Sequence, residues 1–72
     1  MTLKEFDVVE LIADFPAYGI KAGSMGTIID LYPDGEYEIE IADESGATLD
    51  CFAVKPDQIR LVQTPSVQVK AA

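Results

Sequence analysis

Residues 25–41 read MGTIIDL-YPDG-EYEIEI and encode one β-hairpin nearly in full. Within the central YPDG, Pro33 presets φ at the first central position of a type I turn, and Gly35 takes the left-handed conformation that follows it. The residues after the turn alternate, so that three apolar side chains share one face of a strand: Tyr37, Ile39 and Ile41. The stretch therefore predicts two antiparallel strands with one face in a core and the other in water.

Upstream of this hairpin the sequence predicts a first strand and a long ordered loop. Residues 7–12 are rich in β-branched side chains and precede several Pro and Gly residues, so the strand should end near Ala13. The loop of residues 13–24 contains three apolar side chains that should fold back on the core: Phe15, Tyr18 and Ile20. Gly26, at the start of the second strand, predicts a bend or a close approach of two backbones.

Downstream of the hairpin, residues 47–54 predict a fourth strand that returns from a loop ending in Gly46. Alternation places three of its small or aliphatic side chains on one side: Leu49, Cys51 and Ala53. We expect Cys51 to be buried there and to behave as a small apolar group.

The end of the chain predicts one helical turn at residues 55–58 and a fifth strand at 59–62. Five short strands, a long first loop, tight hairpins and a 3-10 turn before the last strand resemble the small SH3-like barrel. We therefore predict an all-β fold, with a five-stranded SH3-like barrel over residues 1–62. Residues 63–72 form a flexible C-terminal tail or an edge strand in this prediction, because 66–70 alternate.

The charge balance disfavours nucleic acid as a partner. Thirteen Asp and Glu against five Lys and Arg give a formal net charge of −8. Binding to phosphates requires clustered cations, whereas here they are scattered singly: Lys4, Lys21, Lys55, Arg60 and Lys70. No apolar run approaches the roughly 20 residues that cross a bilayer. The single cysteine and the absence of a secretory segment at the start favour a soluble cytoplasmic protein.

The residue types disfavour catalysis. The chain has no His, which excludes Ser-His and Cys-His nucleophiles and His-containing zinc sites. A barrel of this size offers little interior in which to raise the pKa of one carboxylate of a catalytic pair. The row of Glu36, Glu38 and Glu40 does not have the spacing of an EF-hand loop. We predict that the protein is not an enzyme and binds no metal or cofactor.

Two resemblances concern the family. Residues 23–28, GSMGTI, resemble the KOW-type element, in which glycines shape the turn into a strand and the next aliphatic residue packs inward. Nearly the whole chain is similar to a family of short uncharacterised bacterial domains, through these motifs: DVV at 7–9, DFP at 14–16, YG at 18–19, Gly23, GTI at 26–28, YEIE at 37–40 and DESG at 43–46. The latter resemblance implies an antitoxin or immunity role, because some members are encoded beside candidate toxins.

These observations predict a non-catalytic, acidic protein-interaction module. We expect steering and rim contacts to a basic protein surface from four carboxylates, and anchoring from two aromatic rings: Glu36, Glu38, Glu40, Asp50, Tyr18 and Tyr32. The glutamate row is also what a solvated face that only keeps the chain soluble would contain. The sequence is compatible as well with a groove for Pro-rich peptides, a KOW-like domain associated with nucleic acid or the ribosome, or an accessory domain of a larger enzyme. We expect a monomer or a weak homo-oligomer.

Overall fold

The computed structural model describes residues 3–43 and 45–64 and is all-β. Its five strands are β1 (Val8–Leu11), β2 (Met25–Leu31), β3 (Tyr37–Ala42), β4 (Thr48–Val54) and β5 (Ile59–Gln63). They form one antiparallel sheet in the order β4-β3-β2-β1-β5. Two 3-10 turns accompany them, Pro16–Tyr18 and Pro56–Gln58. The predicted five strands and the 3-10 turn before the last one are confirmed. From residue 65 onward, the predicted tail lies outside the residues that the structure describes.

The β2–β3 hairpin has the predicted turn. The Gly35 amide donates to the Tyr32 carbonyl over 3.0 Å, and Gly35 has φ of +93°. In β3 the alternation is as expected, with Ile39 and Ile41 buried. A bulge in β2 places Ile28 opposite Ile39 but Asp30 opposite Glu38, so the strand gains one residue between these pairs.

Gly26 is a point of close backbone approach, as predicted. A Cβ atom at this position would lie 2.9 Å from Ile41 Cδ1 and 3.2 Å from the Glu40 carbonyl oxygen. A side chain there would push β2 away from β3, which explains the need for glycine.

The core is formed by a single curled sheet. Nine buried apolar side chains from all five strands and the N-terminal segment form one cluster: Leu3, Val9, Leu11, Ile28, Ile39, Ile41, Phe52, Val54 and Ile59. No helix or second sheet covers this cluster among the described residues, so the sheet itself, the N-terminal segment and the β1–β2 loop must enclose it. The strand pairings leave β4 and β5 as the two edge strands.

The β1–β2 loop folds back on the core, as predicted. Phe15 and Ile20 form a β-bridge and pack against the buried cluster, with Gly19 at φ of +69° between them. The rings of Phe15 and Tyr18 stack on Phe52, at centroid distances of 5.1 and 4.3 Å. The first strand ends at Leu11, two residues before the predicted boundary near Ala13.

The predicted facing of β4 is wrong. Phe52 and Val54 are buried, whereas Leu49, Cys51 and Ala53 are exposed. Both alternating sets of β4 contain apolar side chains, and burial of Phe52 and Val54 removes the large aromatic ring from water. A register shift between Ile41 and Ala42 also leaves Leu49 without an opposite residue. The expectation of a buried Cys51 is therefore corrected as well.

A buried carboxylate joins the two ends of the described chain. Asp7 is 1% exposed and accepts hydrogen bonds from the Lys4 amide over 3.0 Å and from Thr64 Oγ1 over 2.8 Å. Burial alone raises the pKa of Asp7, but these two hydrogen bonds and the nearby Lys4 ammonium together hold it below its usual value. Sequence reasoning did not identify this residue as a core member.

Candidate functional site

The solvent-facing side of β2, β3 and β4 carries two rows of opposed side chains. One row is Thr27, Glu40 and Cys51, and the other is Asp30, Glu38 and Ala53. We call Asp30, Glu38 and Glu40 the acidic face. None of the three strands contains a Lys or Arg.

The acidic face contains a pair of like charges at directly opposed positions. Asp30 and Glu38 are cross-strand partners, an arrangement that destabilises a sheet when both are ionised. Tyr32 Oη donates a hydrogen bond to Glu38 Oε1 over 2.8 Å, and Thr48 Oγ1 donates one to Glu40. These neutral donors orient the glutamates without neutralising them. The bond to Glu38, followed by slight desolvation and the surrounding carboxylates, raises the pKa of Tyr32.

The six residues predicted to bind a partner lie in two places. Tyr32, Glu38 and Glu40 are together on the acidic face. Glu36 precedes β3 at the end of the turn, where its amide donates to Asp34 Oδ1. Asp50 lies opposite Ile41 and shares the other side of β4 with Phe52, on which Tyr18 stacks.

Two residues were not predicted to lie at the acidic face: Asp30, which belongs to it, and Cys51, which lies beside it. Asp30 is brought opposite Glu38 by the β2 bulge, and no local pattern in the sequence shows that bulge. Cys51 lies opposite Glu40. The pKa of its thiol is raised, first by the loss of water contact within the sheet and then by the charges of Glu40, Glu38 and Asp50.

The outer edge of β4 has its own feature. Asp50 Oδ1 accepts a hydrogen bond from the Cys51 amide over 2.9 Å. This amide therefore points away from β3, toward the free side of the sheet. The same contact occurs over 2.8 Å between Asp30 Oδ1 and the Leu31 amide, where β2 extends beyond its pairing with β1. In both places a carboxylate covers an amide that has no neighbouring strand.

Two cations of the described segments are held away from the acidic face. Lys4 pairs with Asp7, and Arg60 pairs with Glu10 across β1 and β5. An open apolar depression lies between the β1–β2 loop and the end of β3, where Met25 is 46% and Leu49 58% exposed. The surface near β4 thus combines carboxylates with exposed aliphatic side chains.

Within residues 3–43 and 45–64, no three His, Cys, Asp or Glu side chains are grouped as metal ligands would be. The absence of a metal, a cofactor and a reaction stays a prediction. In the same part of the chain, no helix has the length and apolar character needed to cross a membrane. The compartment also stays a prediction.

Comparison with known proteins identifies the family. A family model described as a domain of unknown function, DUF4926, matches residues 5–61, which is most of the chain. The chain belongs to this family. The DUF4926 match begins before β1 and ends within β5, so it includes the acidic face and β4. Neither the curated proteins nor the solved structures contain a match to the chain. The expected membership of an uncharacterised family is confirmed.

Proposed function

We propose that this DUF4926 domain is a non-catalytic protein-interaction domain that binds a basic surface of another protein through its acidic face. The observation that carries the proposal is the direct opposition of Asp30 and Glu38, with Glu40 in the adjoining row. A cationic partner relieves the repulsion between these carboxylates when it binds. The free energy that this repulsion costs the free domain then favours the complex.

A surface that serves only solubility does not account for this arrangement. Solubility requires net charge, which is obtained equally well from carboxylates spread over the surface. Directly opposed like charges cost roughly 0.2–1 kcal/mol in a sheet, and the three strands contain no cation to offset them. Residues that break a local stability rule are expected at functional sites.

The flanking residues have distinct roles in the proposal. Tyr32, oriented by Glu38, is the aromatic anchor beside the acidic face, and Glu36 extends the negative potential toward the turn. Tyr18 and Asp50 belong to the other side of β4 and contact the partner only where it wraps around that edge. One concrete form of this function is an antitoxin or immunity protein that covers the basic active site of a toxin.

We also propose that the domain is an SH3-like barrel with a KOW-like turn before β2. The strand order, the curled core and the 3-10 turn before β5 support an SH3-like barrel. The buried Ile28 after Gly26 supports a KOW-like turn. A nucleic-acid function of that element is the weaker candidate, because no Lys or Arg lies in β2, β3 or β4. A gel shift at low salt tests it.

The test is capture of a partner by the tagged full chain, compared with charge-reversed variants. We expect Glu38→Lys and Glu40→Lys to lose the partner, since each replaces an attraction with a repulsion. Asp57→Lys is the matched control, because it makes the same charge change on an exposed residue of the second 3-10 turn. Urea unfolding of each variant shows that the fold is retained.

Two outcomes contradict the proposal. One is equal loss of the partner in Glu38→Lys and Asp57→Lys, which would indicate a response to net charge alone. The other is an affinity that stays constant between about 50 and 500 mM salt, since screening over this range weakens contacts between exposed charges.

A further inference from the structure

The free edge of β4 is the second surface with chemistry suited to a partner. We infer that this edge accepts an extended, lysine- or arginine-rich segment of the partner as an added strand, with Asp50 selecting for positive charge. The inference rests on the proposed function only for the basic character of the partner, and adds to it a mode of binding.

The direction of the Cys51 amide shows which backbone groups are available. In an antiparallel strand, successive residues direct their N–H and C=O groups to opposite sides. Since the Cys51 amide donates to Asp50 and not to β3, the backbone groups of Cys51 and Ala53 point to the free edge. β4 has seven residues, which is long enough to pair with an added strand.

Asp50 controls which strand is accepted. A carbonyl of the incoming segment must replace the Asp50 carboxylate as the acceptor of the Cys51 amide. The displaced carboxylate then needs a new donor, which a lysine or arginine side chain supplies by a charge-assisted hydrogen bond. A neutral or acidic segment leaves it without a partner.

The acidic face adds to this selection. The side chains next to the free edge on the outer side of β4, Cys51 and Ala53, are small, and Glu40 and Glu38 lie directly behind them in the same two rows. Neighbouring strands are about 4.8 Å apart, so an added strand lies roughly 10 Å from β3. Lysine or arginine side chains spaced two residues apart reach across the small side chains toward the glutamates.

A second copy of this chain does not fit the edge equally well. It would bring another Asp50 and another net charge of −8 to the interface. The observations therefore favour a basic segment of a different protein.

The experiment uses fluorescein-labelled peptides and the full chain, with anisotropy recorded at physiological salt. The first peptide consists of lysine, so that both faces of an added strand carry positive charge, the second has the same sequence with every backbone nitrogen methylated, and the third consists of glutamate. Methylation keeps the charge but removes the donors that pair with an edge strand. We expect the lysine peptide to bind at least about tenfold more tightly than its methylated form, because several hydrogen bonds are lost. The glutamate peptide should not bind.

Variants separate the edge from the acidic face. Asp50→Asn keeps an acceptor for the Cys51 amide but removes the charge. We expect it to lower the affinity for the lysine peptide about fivefold, because one charge-assisted contact is lost. Asp57→Asn removes the same charge from an exposed turn and should leave binding within twofold of wild type, roughly the effect of a screened surface charge.

Each result decides between the two proposals. Equal binding of the methylated and unmethylated lysine peptides, or no binding of either, overturns the edge inference. If binding is equal but lost in Glu38→Lys, the acidic-face proposal stands alone. If methylation abolishes binding while Glu38→Lys does not change it, the edge inference stands and the acidic-face proposal falls. An unchanged affinity in Asp50→Asn would show that Asp50 does not select for positive charge.

Discussion

The two halves of the sheet treat charge in opposite ways. On the β1–β5 side, Glu10 lies opposite Arg60 and forms an ion pair with it, and the buried Asp7 is satisfied by Lys4 and Thr64. On the β2–β3–β4 side, acidic side chains lie opposite one another or opposite neutral residues. One half thus pairs its charges within the domain, whereas the carboxylates of the other half face no cation of the strands around them, which is the arrangement that the proposed function requires.

The largest effect is expected at Asp7. Asp7→Ala leaves the Lys4 amide and Thr64 without their acceptor and should reduce the free energy of unfolding by about 1–3 kcal/mol. Urea unfolding measures the loss. Asp43→Ala is the control, since Asp43 also accepts several hydrogen bonds, from Ser45 and Ala47, but is exposed. An equal loss in the two variants would show that burial does not increase the contribution of Asp7 to the free energy of unfolding.

The second prediction concerns pH. The folded pKa of Asp7 lies below its unfolded value, so its contribution to stability is present above the unfolded pKa and is lost as the pH falls through the folded one. Urea unfolding from neutral pH down to strong acid should show this loss in the wild type and a shallower one in Asp7→Asn. The pKa of Asp43 is also lowered, through Ser45 and Ala47, so both proteins retain a shared acid-dependent part. Parallel curves for wild type and Asp7→Asn would contradict the assignment to Asp7.

The third prediction compares the halves directly. Glu10→Gln removes one member of an ion pair and should lower the free energy of unfolding by about 0.5 kcal/mol. Glu38→Gln removes one member of a repulsive pair and should raise it by a similar amount, about 0.2–1 kcal/mol. Both variants neutralise one glutamate, so their difference is independent of net charge. If both variants changed the free energy of unfolding in the same direction, the contrast between the two halves of the sheet would be contradicted.

The smallest effect is at Cys51, where no change of stability is expected. Glu40→Gln removes a carboxylate opposite the thiol, lowers the pKa of Cys51 and raises the fraction of thiolate at mildly alkaline pH. The rate of reaction with a neutral thiol reagent should therefore increase. Asp57→Gln serves as the control for net charge, and a rate that rises equally in both variants would show that the acidic face does not act locally.

The β2–β3 hairpin was predictable because its local signals agree. Pro33 and Gly35 suit the turn, and the alternation from Tyr37 to Ile41 gives the face without knowledge of any other strand. In β4 the local pattern was ambiguous, because Leu49 and Phe52 compete for the core from opposite faces. Packing against Phe15 and Tyr18, which are distant in sequence, decides in favour of Phe52.

The composition of the candidate site was predictable only within one strand. Glu38 and Glu40 share a face through the period of two residues, which needs no register. Asp30 and Asp50 depend on pairing with β3, and each is placed by an irregularity next to it, the bulge in β2 and the shift beyond Ile41. A bulge exchanges the faces of all later residues in a strand, and no single-residue propensity announces it.

The aromatic stack of Phe15 and Tyr18 on Phe52 links the β1–β2 loop to the edge strand β4. Opening of the β4 edge therefore requires the loop to lift, so the two segments should exchange their amide hydrogens as one cooperative unit. A ligand that never touches the loop would nevertheless slow exchange at Gly19 and Ile20. Deuterium uptake in this short stretch would then report whether the neighbouring β4 edge is occupied.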